Sequence, residues 1–186
     1  MAGSEYLRGI IKELTQISEL VEEKELLAMT DALDASRRVF VAGSGRSGYV
    51  AKAFANRLMH LGMSAYVAGE ATTPAIAEGD LLFIVSASGE TASLKADAQI
   101  ALSAGAEVAT ITAKRDAAIG SSSKTVITLP GKIKTDALQK AQSPGQVMAS
   151  AFEQMSWLVC DVLVCYLMEK RGVSEEAMFA RHANLE

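Results

Sequence analysis

Two short stretches concentrate hydroxyls and glycines: Gly43-Ser44-Gly45-Arg46-Ser47-Gly48 and Ser86-Ala87-Ser88-Gly89-Glu90-Thr91. Each follows an apolar run and precedes a helical period, the place where N–H groups at a helix N-terminus converge on an anion. Ser44, Ser86, Ser88 and Thr91 supply hydroxyl donors for a phosphate, and the amides of Gly89 and Glu90 add to them. The glycines let the backbone turn tightly and come close to a ligand beside Arg46 and Ser47. The first stretch also fits G-x-G-x-x-G, a dinucleotide-binding pattern in which Glu70, near the end of the second strand, would hold a ribose. A nicotinamide enzyme also needs a second domain to bring its substrate, and none is foreseen here. Two hydroxyl-lined loops suit one phosphate monoester better than a dinucleotide.

Proton transfer needs other residues. Glu153 is flanked by Phe152 and Met155 in a stretch almost free of charge, and a carboxylate that loses hydration there becomes a candidate general base. The alternative is an ordinary solvated helix glutamate. The chain has two histidines, His60 and His182. His60 falls near a helix end, where it either stabilises the C-terminus or joins the chemistry. His182 lies on a polar tail. Glu70 and Lys132 are weaker site candidates. Cys160 and Cys165 share one apolar run and read as small core residues, not as a disulfide framework or a metal knuckle. No metal site is foreseen.

The elements that must position these residues follow from the period of the apolar pattern. Residues 6–29 read as one amphipathic opening helix. The runs RRVFVAG, SAYVAG, DLLFIVSAS, EVATIT and KTVITLP read as five strands, with helices after the first and third ending at Gly62 and Gly105. Strands separated by crossovers imply a parallel sheet with helices on both faces, an α-β-α sandwich whose ligands bind at the carboxyl ends of the strands. Residues 131–142 read as an irregular lead-in. A single long helix is then expected, with Ser143 as its cap and Pro144 in its first turn. Its apolar character on nearly every face implies burial on more than one side, by an oligomer or by the centre of the fold. The tail reads as a short docked helix.

The 186 residues, 49% hydrophobic and 22% charged, are expected to form a single domain. A net charge of −4 disfavours nucleic acid as a partner. Apolar runs broken by polar residues and an acidic N-terminus disfavour a membrane or a signal peptide, so the expected compartment is the cytoplasm.

VAGSGRSG and SASGET together resemble the sugar isomerase (SIS) domain family, whose serine-rich S-x-S-G-x-T loop grips a sugar phosphate. RLMHLG, SPGQVMASAFEQ and RHANLE extend the resemblance, over almost the whole chain, to the 6-phospho-3-hexuloisomerases within that family. The resemblance implies a five-stranded, flavodoxin-like SIS fold. It implies a cofactor-free, metal-free isomerisation of 3-hexulose 6-phosphate to fructose 6-phosphate through a cis-enediol, in the ribulose monophosphate pathway of formaldehyde fixation. Glu153, His60 and His182 are then the catalytic candidates, and Ser44, Gly45, Arg46, Ser47, Ser86, Ser88, Gly89, Glu90 and Thr91 the substrate-binding ones. A homotetramer, a dimer of dimers with sites near its interfaces, is expected, the first and last helices and the tail making the contacts. His182 would then reach into a neighbouring subunit's site. Two other readings stay open: an isomerase of a different phosphosugar, and a sugar-phosphate-sensing module.

Overall fold

The computed structural model of the protein describes residues 3–130 and 146–185. Five strands, β1 (Val39–Gly43), β2 (Ala65–Val67), β3 (Leu81–Val85), β4 (Glu107–Thr112) and β5 (Thr125–Thr128), form one parallel sheet in the order β2-β1-β3-β4-β5. Seven α-helices surround it among the described residues: α1 (Gly3–Ser18), α2 (Glu23–Ala35), α3 (Arg46–His60), α4 (Ala92–Ser103), α5 (Ala118–Ser122), α6 (Ser150–Arg171) and α7 (Glu175–Phe179).

Strand residues alternate between two cores. Val39 and Val41 of β1, with Leu81, Phe83 and Val85 of β3, face Met29 and Leu33 of α2, Phe54 and Leu58 of α3, and Phe152 and Leu163 of α6. Phe40, Ala42, Leu82 and Ile84 face Leu94, Ala98 and Ala101 of α4 and Ile119 of α5. The expected three-layer arrangement is therefore present, and it explains why β3 is an unbroken apolar run: a strand covered on both sides has no polar face.

Several expectations need correction. The opening helix is two helices. The Ser18 hydroxyl donates to the Thr15 carbonyl at 2.7 Å, and acidic residues at 22, 23 and 25 favour a new N-terminus there. The last helix starts at Ser150, because Met148 adopts φ 51°, a left-handed conformation that interrupts a continuous helix. Residues 131–142, Ser143 and Pro144 lie outside the described residues. Cys160 is buried as expected, but Cys165 is exposed. By length and composition α6 is apolar enough to cross a membrane, contrary to the impression of interrupted runs, yet more than half of it is buried against α2, α3 and the sheet. Its outer side leaves Trp157, Leu158 and Val162 exposed, and α1 exposes Tyr6, Leu7 and Ile11. The tail helix α7 is docked through Arg181, which donates to the His60 carbonyl at 3.1 Å and so satisfies the end of α3.

Candidate active site

In the order 2-1-3-4-5, the chain reverses direction across the sheet between β1 and β3, and the crevice beyond their carboxyl ends is where such folds bind ligands. Both hydroxyl-rich loops leave the sheet there. Gly43 is paired in register with Val85, so Ser44 and Ser86 emerge side by side.

The glycines of the first loop serve its own backbone. A Cβ on Gly43 would lie 2.7 Å from the Ser47 carbonyl oxygen, and one on Gly48 would lie 2.8 Å from the Gly43 carbonyl oxygen. The strand end and the helix start are thus in direct backbone contact. Gly45, at φ 59°, makes the turn and caps α3 without a side-chain hydrogen bond. The G-x-G-x-x-G spacing is accounted for by this packing alone. Ser44, Gly45 and Arg46 are exposed at the crevice and Ser47 is buried.

The second loop is tied together internally. Ser86 Oγ accepts from the Gly89 N–H and Ser88 Oγ from the Glu90 N–H, both at 3.2 Å. The two amides expected to face the phosphate thus donate to the loop's own serines in this structure. The serine oxygens accept, which leaves each hydroxyl proton to be donated outward. Thr91 caps α4 without a side-chain hydrogen bond, so its hydroxyl is not spent on the helix. Gly89, at φ 64°, would carry a Cβ 2.7 Å from that of Ala117.

Three further ties hold this loop to the next strand end. The Ile119 N–H donates to the Gly89 carbonyl at 3.0 Å, the Ala118 N–H to Glu90 Oε1 at 2.8 Å, and the Ala113 N–H to the Ala87 carbonyl at 3.1 Å. The Ala118 amide, followed by Lys95 at 3.0 Å, holds the Glu90 carboxyl below the usual carboxylate range. The side chain of Glu90 therefore anchors the loop, a role that sequence reasoning missed. Thr112, fully buried at the end of β4, accepts from the Lys114 N–H at 3.1 Å and shapes the adjacent turn.

Glu153 lies in the first turn of α6, buried beside Phe152 and Met155. Its surroundings are not free of charge, as the sequence suggested. Arg46 of the first loop donates through Nε to Glu153 Oε2, an ion pair between a side chain 63% exposed and one 9% exposed. Leu14, Tyr49, Val50 and Trp157 complete a groove of about 410 Å³ around the pair. The fold thus brings one carboxylate, one guanidinium and the first loop together.

The histidines are elsewhere in the same chain. His60 ends α3, fourteen positions along the helix from Arg46, a rise of about 21 Å. His182 stacks on it with ring centroids 5.2 Å apart, which gives the tail histidine the structural contact that its sequence context did not suggest. The two rings border a cavity of about 300 Å³ with Arg57, Trp157 and Asp161. Glu70 is exposed and bound to Lys52 at 2.7 Å, which holds its carboxyl below the usual range; it does not line the groove. Lys132 lies outside the described residues. Among the described residues, no group of three His, Cys, Asp or Glu side chains is placed to hold a metal ion.

Comparison with known proteins agrees with this architecture. The SIS domain family matches residues 32–162. The 3-hexulose-6-phosphate isomerase of Bacillus subtilis (strain 168) is 41% identical over 186 residues, the whole of both chains. That of Mycobacterium gastri is 36% identical, the alignment covering 94% of this chain and 86% of the relative. A protein from Methanococcus jannaschii, whose crystal structure was taken to infer a 3-hexulose-6-phosphate isomerase function, superposes with a TM-score of 0.83 at 26% identity, covering 98% of this chain and 99% of that one. The chain belongs to the SIS domain family and, within it, to the family of the 3-hexulose-6-phosphate isomerases.

Proposed function

We propose that this phosphosugar isomerase interconverts 3-hexulose 6-phosphate and fructose 6-phosphate, in the ribulose monophosphate route of formaldehyde fixation and in the cytoplasm. The observation that carries the reading is the meeting of the first hydroxyl-rich loop with the buried Glu153 through Arg46, at the point where β1 and β3 diverge. The names of the full-length relatives support the choice of sugar. In this reading Ser44, Ser86, Ser88 and Thr91 donate to the phosphate, and Gly45, Ser47, Gly89 and Glu90 hold the loops that present them.

Glu153 takes the proton from C2 of the 3-ketose as the C2–C3 double bond forms, and the C3 carbonyl oxygen receives a proton from an acid. The cis-enediol then gives up its O2 proton, and Glu153 returns its proton to C3, leaving the carbonyl at C2. One hydrogen has moved from C2 to C3 and one from O2 to O3. The reaction is redox-neutral within one molecule and calls for no external oxidant or nicotinamide. Managing the oxygens falls to His60 and His182. Because they lie about 21 Å along α3 from the first loop, they act on a neighbouring copy's site. A homotetramer built as a dimer of dimers, using the exposed apolar faces of α1 and α6, supplies that copy.

The test is conversion of 3-hexulose 6-phosphate by the purified protein, followed by a coupled assay for fructose 6-phosphate. Glu153→Gln keeps the side chain's shape, so it should still be stabilised against unfolding by fructose 6-phosphate while turnover falls about 100-fold or more. In deuterated solvent the wild type should incorporate label and the variant should not. Binding without turnover in the wild type would identify a sensing module instead.

A further inference from the structure

The Arg46–Glu153 pair does more than join two elements. Arg46 occupies the first position of α3, where the helix dipole disfavours a cation, and it engages Glu153 through Nε alone. Of the residues that line the groove around the carboxylate, Leu14 comes from α1, Tyr49 and Val50 from α3, and Gln154, Trp157 and Leu158 from α6; Arg46 is the one cation among these described residues. Of the cations near the second loop, Lys95 is paired with Glu90 and Arg115 with Glu25, while Lys114 lies close enough to Glu90 to act on its carboxyl but does not line the groove. A phosphate dianion arriving between the two loops meets, two residues beyond Ser44, a guanidinium whose present partner is a single buried carboxylate.

We propose that Arg46 is a latch on Glu153 that the substrate's phosphate releases. The guanidinium occupies Oε2 of the carboxylate and so competes with a substrate proton for that oxygen. The dianion, with twice the charge, draws the guanidinium away and leaves the carboxylate oxygen open to the substrate. Phosphate recognition and base activation become one event, which favours deprotonation of molecules that carry the phosphate. Arg46 is in this sense a positioning residue, and the inference rests on Glu153 being the base.

The latch makes a prediction about binding that is independent of turnover. Calorimetry with glucitol 6-phosphate, which has no carbonyl to isomerise, would be run on the wild type, Glu153→Gln, Arg46→Met and the double variant. Releasing the latch costs binding energy, so Glu153→Gln should bind about fivefold more tightly than the wild type, the upper range for a pair with one exposed partner. Arg46→Met should bind more weakly, and in its background Glu153→Gln should change little. Arg46→Gln serves as a second variant should the methionine disturb folding. Weaker or unchanged binding by Glu153→Gln would overturn the latch, because Arg46 would then be bridging or purely structural. Equal tightening in both backgrounds would overturn it as well, because the effect would be direct repulsion between Glu153 and phosphate. These outcomes leave the proposed reaction standing. Near-normal turnover by Glu153→Gln, or no binding of glucitol 6-phosphate by the wild type, would remove both readings.

Discussion

Thr91→Val isolates the contribution of a single hydroxyl to phosphate binding. An N-cap threonine that bonds its helix usually stabilises it by about 1 kcal/mol, but Thr91 makes no such bond, so this component is missing. Valine matches threonine in shape and adopts the extended backbone found at this position, φ −61° and ψ 121°. Unfolding midpoints should therefore barely move, within about 0.5 kcal/mol. Binding should change much more. A charge-assisted hydrogen bond to phosphate is worth roughly 1.5–3 kcal/mol and is felt nearly equally in the ground and transition states, so KM should rise about 10- to 150-fold with kcat little altered. Ser88→Ala is the contrasting case. It loses the phosphate contact and also the acceptor for the Glu90 N–H, so its KM should rise with a stability loss of about 1 kcal/mol. Steady-state kinetics and urea unfolding of the two variants together make the test. An unchanged KM in Thr91→Val would show that the second loop is not the phosphate cradle, and a large stability loss in that variant would show that its hydroxyl works within the fold.

Two other predictions concern the rest of the molecule. Asp80, 1% exposed, receives Arg38 at 2.5 Å, Arg37 at 3.1 Å and the Ala77 N–H at 2.9 Å. Burial alone would raise its carboxyl, but the two guanidinium groups and the amide outweigh it and hold the group below its usual value. A folded-state value below the unfolded one means stability that is present above about pH 4 and lost as pH falls through the folded value. Asp80→Asn should therefore lose about 2–3 kcal/mol at pH 7, keep its KM, and show a flatter acid limb in urea unfolding; equal acid limbs in variant and wild type would refute this. Light scattering at micromolar concentration should report a tetramer, and a stable monomer would remove His60 and His182 from any shared site.

The strands and both loops were legible in the sequence because β1 and β3, buried on both faces, are uninterrupted apolar runs closed by a glycine or followed by a serine, and β4 and β5 are short runs rich in β-branched residues. The break between α1 and α2 was not, since Ile17, Leu20 and Val21 continue the apolar spacing straight through it. Nor was α5, whose five residues, two of them serine and one glycine, are too few to show a period. Met148 gave no warning of its left-handed backbone, which glycine or asparagine would have done. At the site, residue types and loop positions could be read locally. Pairings could not: Arg46 meets Glu153 across 107 positions. His60 likewise meets His182 through the docking of a tail that has no apolar stripe of its own. The surroundings of Glu153 were misjudged for this reason, because its sequence neighbours are apolar while its neighbour in space is a cation.

The ties that fasten the second loop to β4 and α5 are made entirely within the chain. If this loop cradles the phosphate as proposed, a fixed cradle has little conformational freedom to surrender on binding, so its grip loses little to ordering. Rigidity of this kind also makes it indifferent to what the phosphate is attached to. Discrimination between a hexulose and a shorter or longer sugar has to be exercised further along the ligand, by the groups that set the distance from the cradle to Glu153. In the proposed reading anchoring and selection fall to separate parts of the molecule, and a lineage can change its sugar by altering the second while leaving the first untouched.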